Sequence, residues 1–257
     1  MKWLLLLSLL VNDAHSFTAV APKAEMASTA LYAEVDRRSI LGSAVASLIV
    51  GTTTQFSGAA LAEGTQTVVV AGATGQSGRR VLERLAGTPG LSVVAGVRNV
   101  DKAAAALSES STVIRGAMVQ KVGSIDTSGV ELKHLDIVKD STDEIKALLT
   151  GADSLVIAVG FVPGNPLKMN EAAHQVDNVG TCKLIDAAKA AGIKKVVLIS
   201  SILTNGRAWG QEKSPGFQIT NAFGGVLDEK IVAENYLRKS GMDYTIVRPG
   251  KWHEFAI

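Results

Sequence analysis

Short apolar runs alternate with helical patterns along the chain from residue 65 onward. Residues 67–71 read TVVVA, a run without polar alternation that is typical of a strand buried on both faces of a parallel sheet. The same character returns at residues 91–97, 130–135, 153–159, 195–200 and 244–247. The pattern therefore predicts six strands.

Helices are predicted between these strands, because apolar residues recur there at helical spacing. Asp101 is a candidate N-cap, and Ser141 with Glu144 three residues later forms the pattern of a capping box. The predicted helices cover residues 79–85, 101–110, 141–149, 169–191 and 223–240.

Strands and helices that alternate in this way predict an α/β fold with a doubly wound parallel sheet and right-handed crossovers. A ligand would then bind in the crevice beyond the carboxyl ends of the strands. Residues 112–131 carry few apolar runs, and we expect an insertion or loop there.

The first 16 residues have the pattern of a secretory signal peptide. Lys2 precedes a short apolar run at residues 3–11, and small residues at 14 and 16 favour cleavage before Phe17. The run is too short to span a bilayer as a helix. The alternative is a buried N-terminal helix.

Residues 17–62 form a second candidate targeting segment, rich in Ala, Ser and Thr. Arg37 and Arg38 precede a weakly apolar stretch, and residues 60–62 (ALA) resemble a cleavage site, so the segment is similar to a twin-arginine export signal. A hydrophobic hairpin or a single membrane anchor is the alternative.

The order of these two segments resembles the bipartite presequence of algae with complex plastids. We therefore expect a chloroplast protein, with the thylakoid lumen as a further destination and the secretory pathway as the alternative. Residues 63–257 would then form the functional domain.

Composition narrows the function classes. Of the 257 residues, 47% are hydrophobic and 19% are charged, which excludes a disordered chain. The net charge of +2 gives no electrostatic case for nucleic-acid binding. Cys182 is the sole cysteine, so an intrachain disulfide is excluded, and no metal-ligand spacing occurs.

The loop after the first buried strand carries the chemistry of a dinucleotide site. Gly72 allows a tight turn, Gly75 lets the backbone approach a pyrophosphate, and Gly78 lets the next helix pack closely. The helix N-terminus then offers unpaired N–H groups to phosphate. The cofactor-binding residues predicted in this loop are Gly72, Thr74, Gly75, Gln76, Ser77 and Gly78.

The end of the second strand predicts which dinucleotide binds. Arg98 stands where NAD-preferring sites place a carboxylate, and a cation there favours the 2′-phosphate of NADP. A solvent-exposed arginine is the alternative. Asp136 ends the third strand, where it would face adenine or cap a turn. Ile137 and the small residues at the end of the fourth strand complete the predicted cofactor site: Ala158, Val159 and Gly160.

These motifs together resemble the atypical short-chain dehydrogenase/reductase family in its NAD(P)H-binding, NmrA-like branch. The resemblance covers residues 65–250 and rests on VVVAGATGQSGRRVLERL, GVRN, KHLD, VDNVGTCKLIDAAKAAGIKKVVLISS and DYTIVRPG. Within this family the sequence is most similar to the plastid-type NAD(P)-binding Rossmann-fold proteins of plants and algae. The resemblance implies Ser200 or Ser201 beside the nicotinamide, Lys230 on the ribose, and Pro249 against the cofactor.

Two departures from the family pattern bear on catalysis. The usual proton donor is a tyrosine four residues before the lysine, and Val226 occupies that position here. Tyr236 and Tyr244 lie elsewhere in the predicted elements. The family's smaller C-terminal substrate lobe is also expected to be missing or truncated, since the sequence ends at Ile257.

Two functions follow as hypotheses. The first is an NADPH-dependent oxidoreductase acting on a small quinone, flavin or carbonyl acceptor, with Ser200, Ser201 and Lys230 as catalytic candidates. The second is a non-catalytic NADP-binding factor that senses redox state or assists assembly with a plastid protein partner. We expect a soluble mature domain, with peripheral thylakoid association as an option. Structural roles are expected for His134, His174 and Cys182.

Overall fold

The computed structural model describes residues 17–20, 65–108, 111–115, 118–127 and 129–250. The signal peptide predicted at residues 1–16 lies outside the described residues, as does most of the targeting segment predicted at 17–62. Within the described ranges, no helix is both long enough and apolar enough to cross a membrane.

The described part of the chain contains nine strands, of which seven form one sheet. The strands are β1 (Phe17–Val20), β2 (Gln66–Ala71), β3 (Leu91–Val97), β4 (Ser111–Arg115), β5 (Met118–Val122), β6 (Val130–His134), β7 (Ser154–Ile157), β8 (Lys195–Ile199) and β9 (Tyr244–Pro249).

The six predicted strands form the parallel part of the sheet, in the order β6-β3-β2-β7-β8-β9. The order reverses between β2 and β7, so the crevice of a doubly wound sheet opens there. The predicted α/β fold is confirmed. β1 pairs antiparallel with β9 and lies inside the predicted targeting segment, whose role stays a prediction.

Helices cover both faces of this sheet. They are α1 (Gln76–Leu85), α2 (Val100–Ser108), α3 (Thr142–Leu149), α4 (Met169–Ala173), α5 (Thr181–Ala190), α6 (Pro215–Asn221) and α7 (Val226–Lys239). The segment His174–Gly180 between α4 and α5 is π-helical, so the three pieces run on as the one long helix that the sequence predicts.

The apolar strands are explained by this two-sided packing. Val69 and Ala71 of β2 join a core with residues of α3, α5 and α7, whereas Val68 and Val70 join a core with α1 and α2. Successive strand residues point to opposite faces, so a strand covered on both sides needs apolar residues throughout.

Helix starts follow local capping chemistry. The predicted capping box is confirmed, since Glu144 N donates to Ser141 Oγ at 3.2 Å and Ser141 N donates to Glu144 Oε2 at 2.7 Å. The predicted N-cap Asp101 is wrong. The helix begins one residue earlier, and Asn99 caps it by accepting the N–H of Lys102 at 2.8 Å.

Residues 112–131 were expected to form an insertion or loop, and the structure has an inserted hairpin there. β4 and β5 pair antiparallel as a separate hairpin, and β6 follows from Val130. β4 and β5 are each five residues long. So short a run shows too little alternation of apolar and polar residues to be distinguished from a loop.

The connection between β8 and α7 also holds an element that the sequence reading missed. Ser214 is the N-cap of helix α6, and its Oγ accepts the N–H of Phe217 at 3.3 Å. Pro215 then occupies the first position of the helix. A serine N-cap with proline at the first helical position would have predicted this helix. Gly224 and Gly225 then adopt positive φ angles of 75° and 68°, so α7 starts at Val226 rather than at the predicted residue 223.

Candidate active site

The glycine loop forms a tight turn between β2 and α1. Gly72 has a φ of +81°, and a Cβ there would lie 2.9 Å from the carbonyl oxygen of Ala158. A Cβ on Gly78 would overlap the carbonyl oxygen of Gly72. Both positions therefore exclude side chains, for the two reasons that the sequence analysis anticipated.

The start of α1 is suited to an anion. Gly75 is the N-cap and supplies no side-chain hydrogen bond, and the first turn contains no acidic residue. The first N–H groups of a helix have no intrahelical partner, and the helix dipole makes this end positive. The cradle that these residues form fits the pyrophosphate of a dinucleotide.

This loop borders a cavity of about 530 Å³ at the carboxyl ends of the parallel strands. Gly78 lies buried behind the cavity wall rather than in it. The other predicted site residues are brought together around this one space: Gly72, Thr74, Gly75, Gln76, Ser77, Arg98, Asp136, Ile137, Ala158, Val159, Gly160, Ser200, Ser201, Lys230 and Pro249. Their individual roles stay predictions.

Several further residues line the cavity that the sequence reading did not name. Phe161 and Val162 follow β7, and Val176 comes from the π-helical segment. Ala172 and Ile199 are two further apolar residues of the lining. Phe161 and Val162 could have been found from the sequence, because they directly follow Gly160. The other three residues are recognised only from the folded structure.

Arg98 lies at one end of the cavity, after β3, and is exposed. Its carbonyl oxygen lies 3.1 Å from Nδ1 of His134, whose Nε2 lies 3.3 Å from Asp140. His134 thus supports the backbone of this corner, consistent with the structural role expected for it. The Arg98 side chain remains exposed beside the cavity.

Asp136 lines the same end but also holds its own turn. Its Oδ1 accepts the N–H groups of Val138 at 3.1 Å and Lys139 at 3.3 Å. This is the turn-capping alternative that the sequence left open. The residue also lines the cavity, and its contact with adenine stays a prediction.

Arg79 follows the glycine loop, but its guanidinium is bound to backbone carbonyl oxygens and does not line the cavity. It donates from Nη1 to Ala106 O at 2.6 Å and from Nη2 to Leu107 O at 3.4 Å, and it also reaches the carbonyl oxygen of Gly123. The guanidinium thus ties α1 to the C-terminal end of α2, where the helix dipole is negative. Burial lowers the pKa of Arg79 from its ordinary value.

Lys230 lies across the glycine loop from Arg98, because it lies beside Gly160 after β7, Arg98 follows β3, and β2 runs between these two strands. Its Nζ lies 2.7 Å from Oδ1 of Asp177, a carboxylate that is completely buried in the π-helical segment. The wall here is the backbone of Gly160, where an added Cβ would lie 3.8 Å from Asp177 Oδ1 and 4.0 Å from Lys230 Nζ. Sequence reasoning singled out the lysine and missed its partner.

Ser200 reaches the cavity, but its hydroxyl is bound elsewhere. It donates to Oε1 of Glu234 at 2.5 Å. Glu234 is completely buried and also accepts from Thr204 at 3.0 Å, from Arg238 at 2.7 Å and from both Nε and Nη2 of Arg248. The catalytic role of Ser200 stays a prediction, whereas its contribution to this buried network is a structural fact.

The network sets the charge state of Glu234. Burial raises the pKa of a carboxyl group, but here the hydrogen bonds from Arg248 and Ser200 and the charge of Arg248 outweigh burial, so the pKa of Glu234 lies below its usual value. A buried carboxylate with these partners is ionised at neutral pH. Ser201, by contrast, has no hydrogen-bond partner for its hydroxyl among the described residues, which leaves that group available to the cavity.

No tyrosine lines this cavity in the described part of the chain. Val226 begins α7, one turn before Lys230, as expected. Tyr236 donates to Asp186 at 2.6 Å, and this bond raises the pKa of Tyr236 to about 12. Tyr244 is buried in β9. The tyrosine proton donor of the family is therefore absent from the described site.

The remaining candidates have structural surroundings. His174 contacts Glu229, with Nδ1 3.0 Å from Oε2. Burial raises the pKa of the Cys182 thiol to about 11, so it carries little nucleophilic thiolate at neutral pH. Within the described ranges no group of three or more His, Cys, Asp or Glu residues is arranged to hold a metal ion.

Comparison with known proteins agrees with this geometry. Residues 72–254 match the sequence profile of the NAD(P)H-binding family. An uncharacterized chloroplastic protein of Arabidopsis thaliana is 38% identical over 186 residues, which are 72% of this chain and 59% of the relative. The chloroplastic protein TIC 62 of Pisum sativum is 34% identical over 191 residues, 71% of this chain and 32% of the relative. The chain thus spans less than two thirds of the length of the first relative and about one third of the second.

A solved structure shows the same fold. The oxidoreductase ylbE of Lactococcus lactis superposes with a TM-score of 0.51 at 22% identity, over 70% of this chain and 66% of that one. The sheet order, the glycine cradle, the cavity and the profile match lead to one conclusion. This chain belongs to the NAD(P)H-binding family, the NmrA-like branch of the atypical short-chain dehydrogenases/reductases, and its described core is a Rossmann-like NAD(P)H-binding domain.

Proposed function

We propose that this domain is an NADP(H)-dependent oxidoreductase that reduces a small quinone, flavin or carbonyl acceptor. The observation that carries the proposal is the placement of two cations around one cavity, on either side of the glycine loop that follows β2. Arg98 follows β3, and Lys230 lies beside Gly160 after β7. NADPH, when bound, supplies a hydride.

The Arg98 end supports the choice of NADP over NAD. A guanidinium pairs with a 2′-phosphate through two charge-assisted hydrogen bonds, whereas the 2′-hydroxyl of NAD is best met by a carboxylate. Arg79 is already bound to backbone carbonyl oxygens, so Arg98 is the better placed of these two cations.

The Lys230 end supports reduction of an acceptor that needs little acid assistance. An ammonium group stabilises negative charge that develops on an acceptor oxygen, and it can supply the proton that a tyrosine gives in related enzymes. Phe161, Val162 and Ile199 add apolar side chains to the lining, which favours a flat aromatic acceptor over a polyhydroxylated one.

A screen of NADPH consumption tests the proposal. Quinones, flavins and aldehydes would be offered to the wild-type protein and to Lys230→Met, with Lys239→Met on the exposed end of α7 as the matched control. We expect turnover with at least one acceptor, lost in Lys230→Met and kept in Lys239→Met. Saturable NADPH binding without turnover of any acceptor would overturn the enzymatic proposal.

That second outcome would favour a non-catalytic NADP-binding factor that senses redox state or assists assembly with a plastid partner. Val226 at the tyrosine position is the observation in its favour.

We also propose a plastid location, supported by the chloroplastic relatives. A fluorescent fusion of residues 1–70 tests it, and retention in the cytosol would remove it.

A further inference from the structure

The charge pair at the Lys230 end of the cavity contains a residue to which no role has been assigned. Asp177 does not itself line the cavity, and its side chain is completely buried. A lone buried carboxylate is costly, because burial removes its hydration, so its partners indicate what it does.

Among the described residues Asp177 has two partners, both at the edge of the cavity. Its Oδ2 accepts the backbone N–H of Phe161 at 3.0 Å, directly after Gly160. Its Oδ1 lies 2.7 Å from the ammonium group of Lys230, although the angle of this contact is not that of a good hydrogen bond. The carboxylate therefore links the loop after β7 to α7.

Lys230 has no other described partner for its ammonium group, and its side chain is 17% exposed. A lysine side chain has many rotamers, and one that is held by a single buried charge is restricted to few of them. The ammonium carries three N–H donors, and a charge contact with Asp177 leaves donors for a ligand in the cavity.

We propose that Asp177 is a positioning residue, which holds the Lys230 ammonium group and the Phe161 amide at the nicotinamide end of the cavity. The inference rests on the proposed function only in that it takes NADPH as the ligand. Asp177 is expected to act through Lys230 and not by touching the ligand.

The chain offers a matched control for this carboxylate. Asp153 accepts the N–H of Thr67 on Oδ2 at 2.9 Å, and its Oδ1 lies 2.7 Å from Nζ of Lys194. These contacts repeat those of Asp177, with one backbone amide and one lysine. Asp153 lies at the amino ends of β2, β7 and β8, so it is remote from the cavity.

The experiment compares two probes by fluorescence or calorimetric titration. NADPH occupies the whole site, whereas adenosine 2′,5′-bisphosphate carries only the adenine half. We expect Asp177→Asn to weaken NADPH binding by about tenfold or more, since the Lys230 ammonium group loses the charge that holds it beside the cavity. The affinity for the bisphosphate should change less than about twofold. Asp153→Asn should leave both affinities unchanged.

A double variant keeps the test decisive if Asp177→Asn alone folds poorly. Lys230→Met with Asp177→Asn leaves no unpaired buried charge. It should bind NADPH as Lys230→Met alone does, because the asparagine oxygen still accepts the Phe161 N–H and the lysine that Asp177 holds is gone. A further loss of affinity in the double variant, or an equal loss for both probes in Asp177→Asn, overturns the inference.

This outcome is separable from that of the proposed function. Selective weakening of NADPH in a protein that turns over no acceptor supports the role of Asp177 and removes the oxidoreductase proposal. An active enzyme whose Asp177→Asn variant binds NADPH normally removes only the role of Asp177.

Discussion

The hydroxyl of Ser200 donates to Glu234 across 2.5 Å inside the protein, although Ser200 also borders the cavity. Ser201, its neighbour, has an unengaged hydroxyl among the described residues and borders the same cavity. The two adjacent serines therefore have different environments. One belongs to the network that holds β8, β9 and α7 together, and the other is open to a ligand.

This difference predicts opposite consequences for two alanine substitutions. Ser200→Ala removes one donor from a buried carboxylate, and we expect it to lower the free energy of unfolding by about 1–3 kcal/mol with little change in kcat per folded molecule. Ser201→Ala should leave the melting temperature unchanged and lower kcat/KM. Denaturant titration and NADPH-dependent turnover separate the two, and a reversed pattern would assign the catalytic hydroxyl to Ser200.

The buried network also predicts how stability depends on pH. The pKa of Glu234 lies below its ordinary 4.5, so the folded protein binds fewer protons than the unfolded chain in this range. Its stabilisation is complete above pH 4.5 and is lost as the pH falls through the lowered pKa of the folded state. Glu234→Gln should lose about 3–5 kcal/mol at neutral pH, because Arg248 is left buried without its counter-charge.

Urea titrations of both proteins between neutral pH and pH 3 check this prediction. The variant should show a shallower loss of stability in acid than the wild type. Glu131→Gln is the control, since Glu131 is an exposed partner of Lys133, 61% exposed, and its loss should cost less than about 0.5 kcal/mol. Identical acid profiles for wild type and Glu234→Gln would contradict the assignment.

Arg98 predicts a change of cofactor preference. Arg98→Ala should weaken NADPH by about tenfold to a hundredfold through loss of charge-assisted bonds to the 2′-phosphate, and leave NADH almost unaffected. Direct titration with the two cofactors measures the ratio of affinities. Lys239→Ala, at the exposed C-terminal end of α7, controls for net charge. Equal weakening of both cofactors would show that Arg98 does not read the phosphate.

Cys182 predicts a thiol that reacts slowly in the folded protein. Its pKa of about 11 lies above the ordinary value of 9.0, so the thiolate fraction at pH 8 is smaller than in an unfolded chain. Labelling with iodoacetamide at pH 8 should be slow and should accelerate in urea. The labelling rate of the folded protein should rise with pH up to about 11. Fast labelling of the folded protein at pH 7 would contradict the packed position of the thiol.

Local patterns were enough to predict the parallel sheet, the glycine loop and most of the cavity wall. Buried strands must be apolar on both faces. Gly78 is required by its close approach to Gly72, six residues earlier, and the positive φ of Gly72 is a local property of the turn. The short hairpin of β4 and β5 was not predicted, because five-residue strands leave too little alternation to recognise.

The two buried carboxylates could not be predicted in the same way. Glu234 meets Ser200 across 34 residues of sequence, and Asp177 meets Lys230 between two separate helical segments. Nothing in the local sequence of an acidic residue on a helix distinguishes a solvated side chain from one that is buried in an ion pair. The choice between Asn99 and Asp101 as the N-cap of α2 could not be made from the sequence either, since both residue types cap helices.

The π-helical segment makes the Lys230 end of the cavity depend on residue count as well as residue identity. Seven residues from His174 to Gly180 wind more loosely than an α-helix, and Asp177 lies in their middle. Each residue of an α-helix turns the chain by about 100°. A one-residue deletion here could therefore rewind the segment and direct the carboxylate away from α7, with every side chain of the pair still present in the sequence.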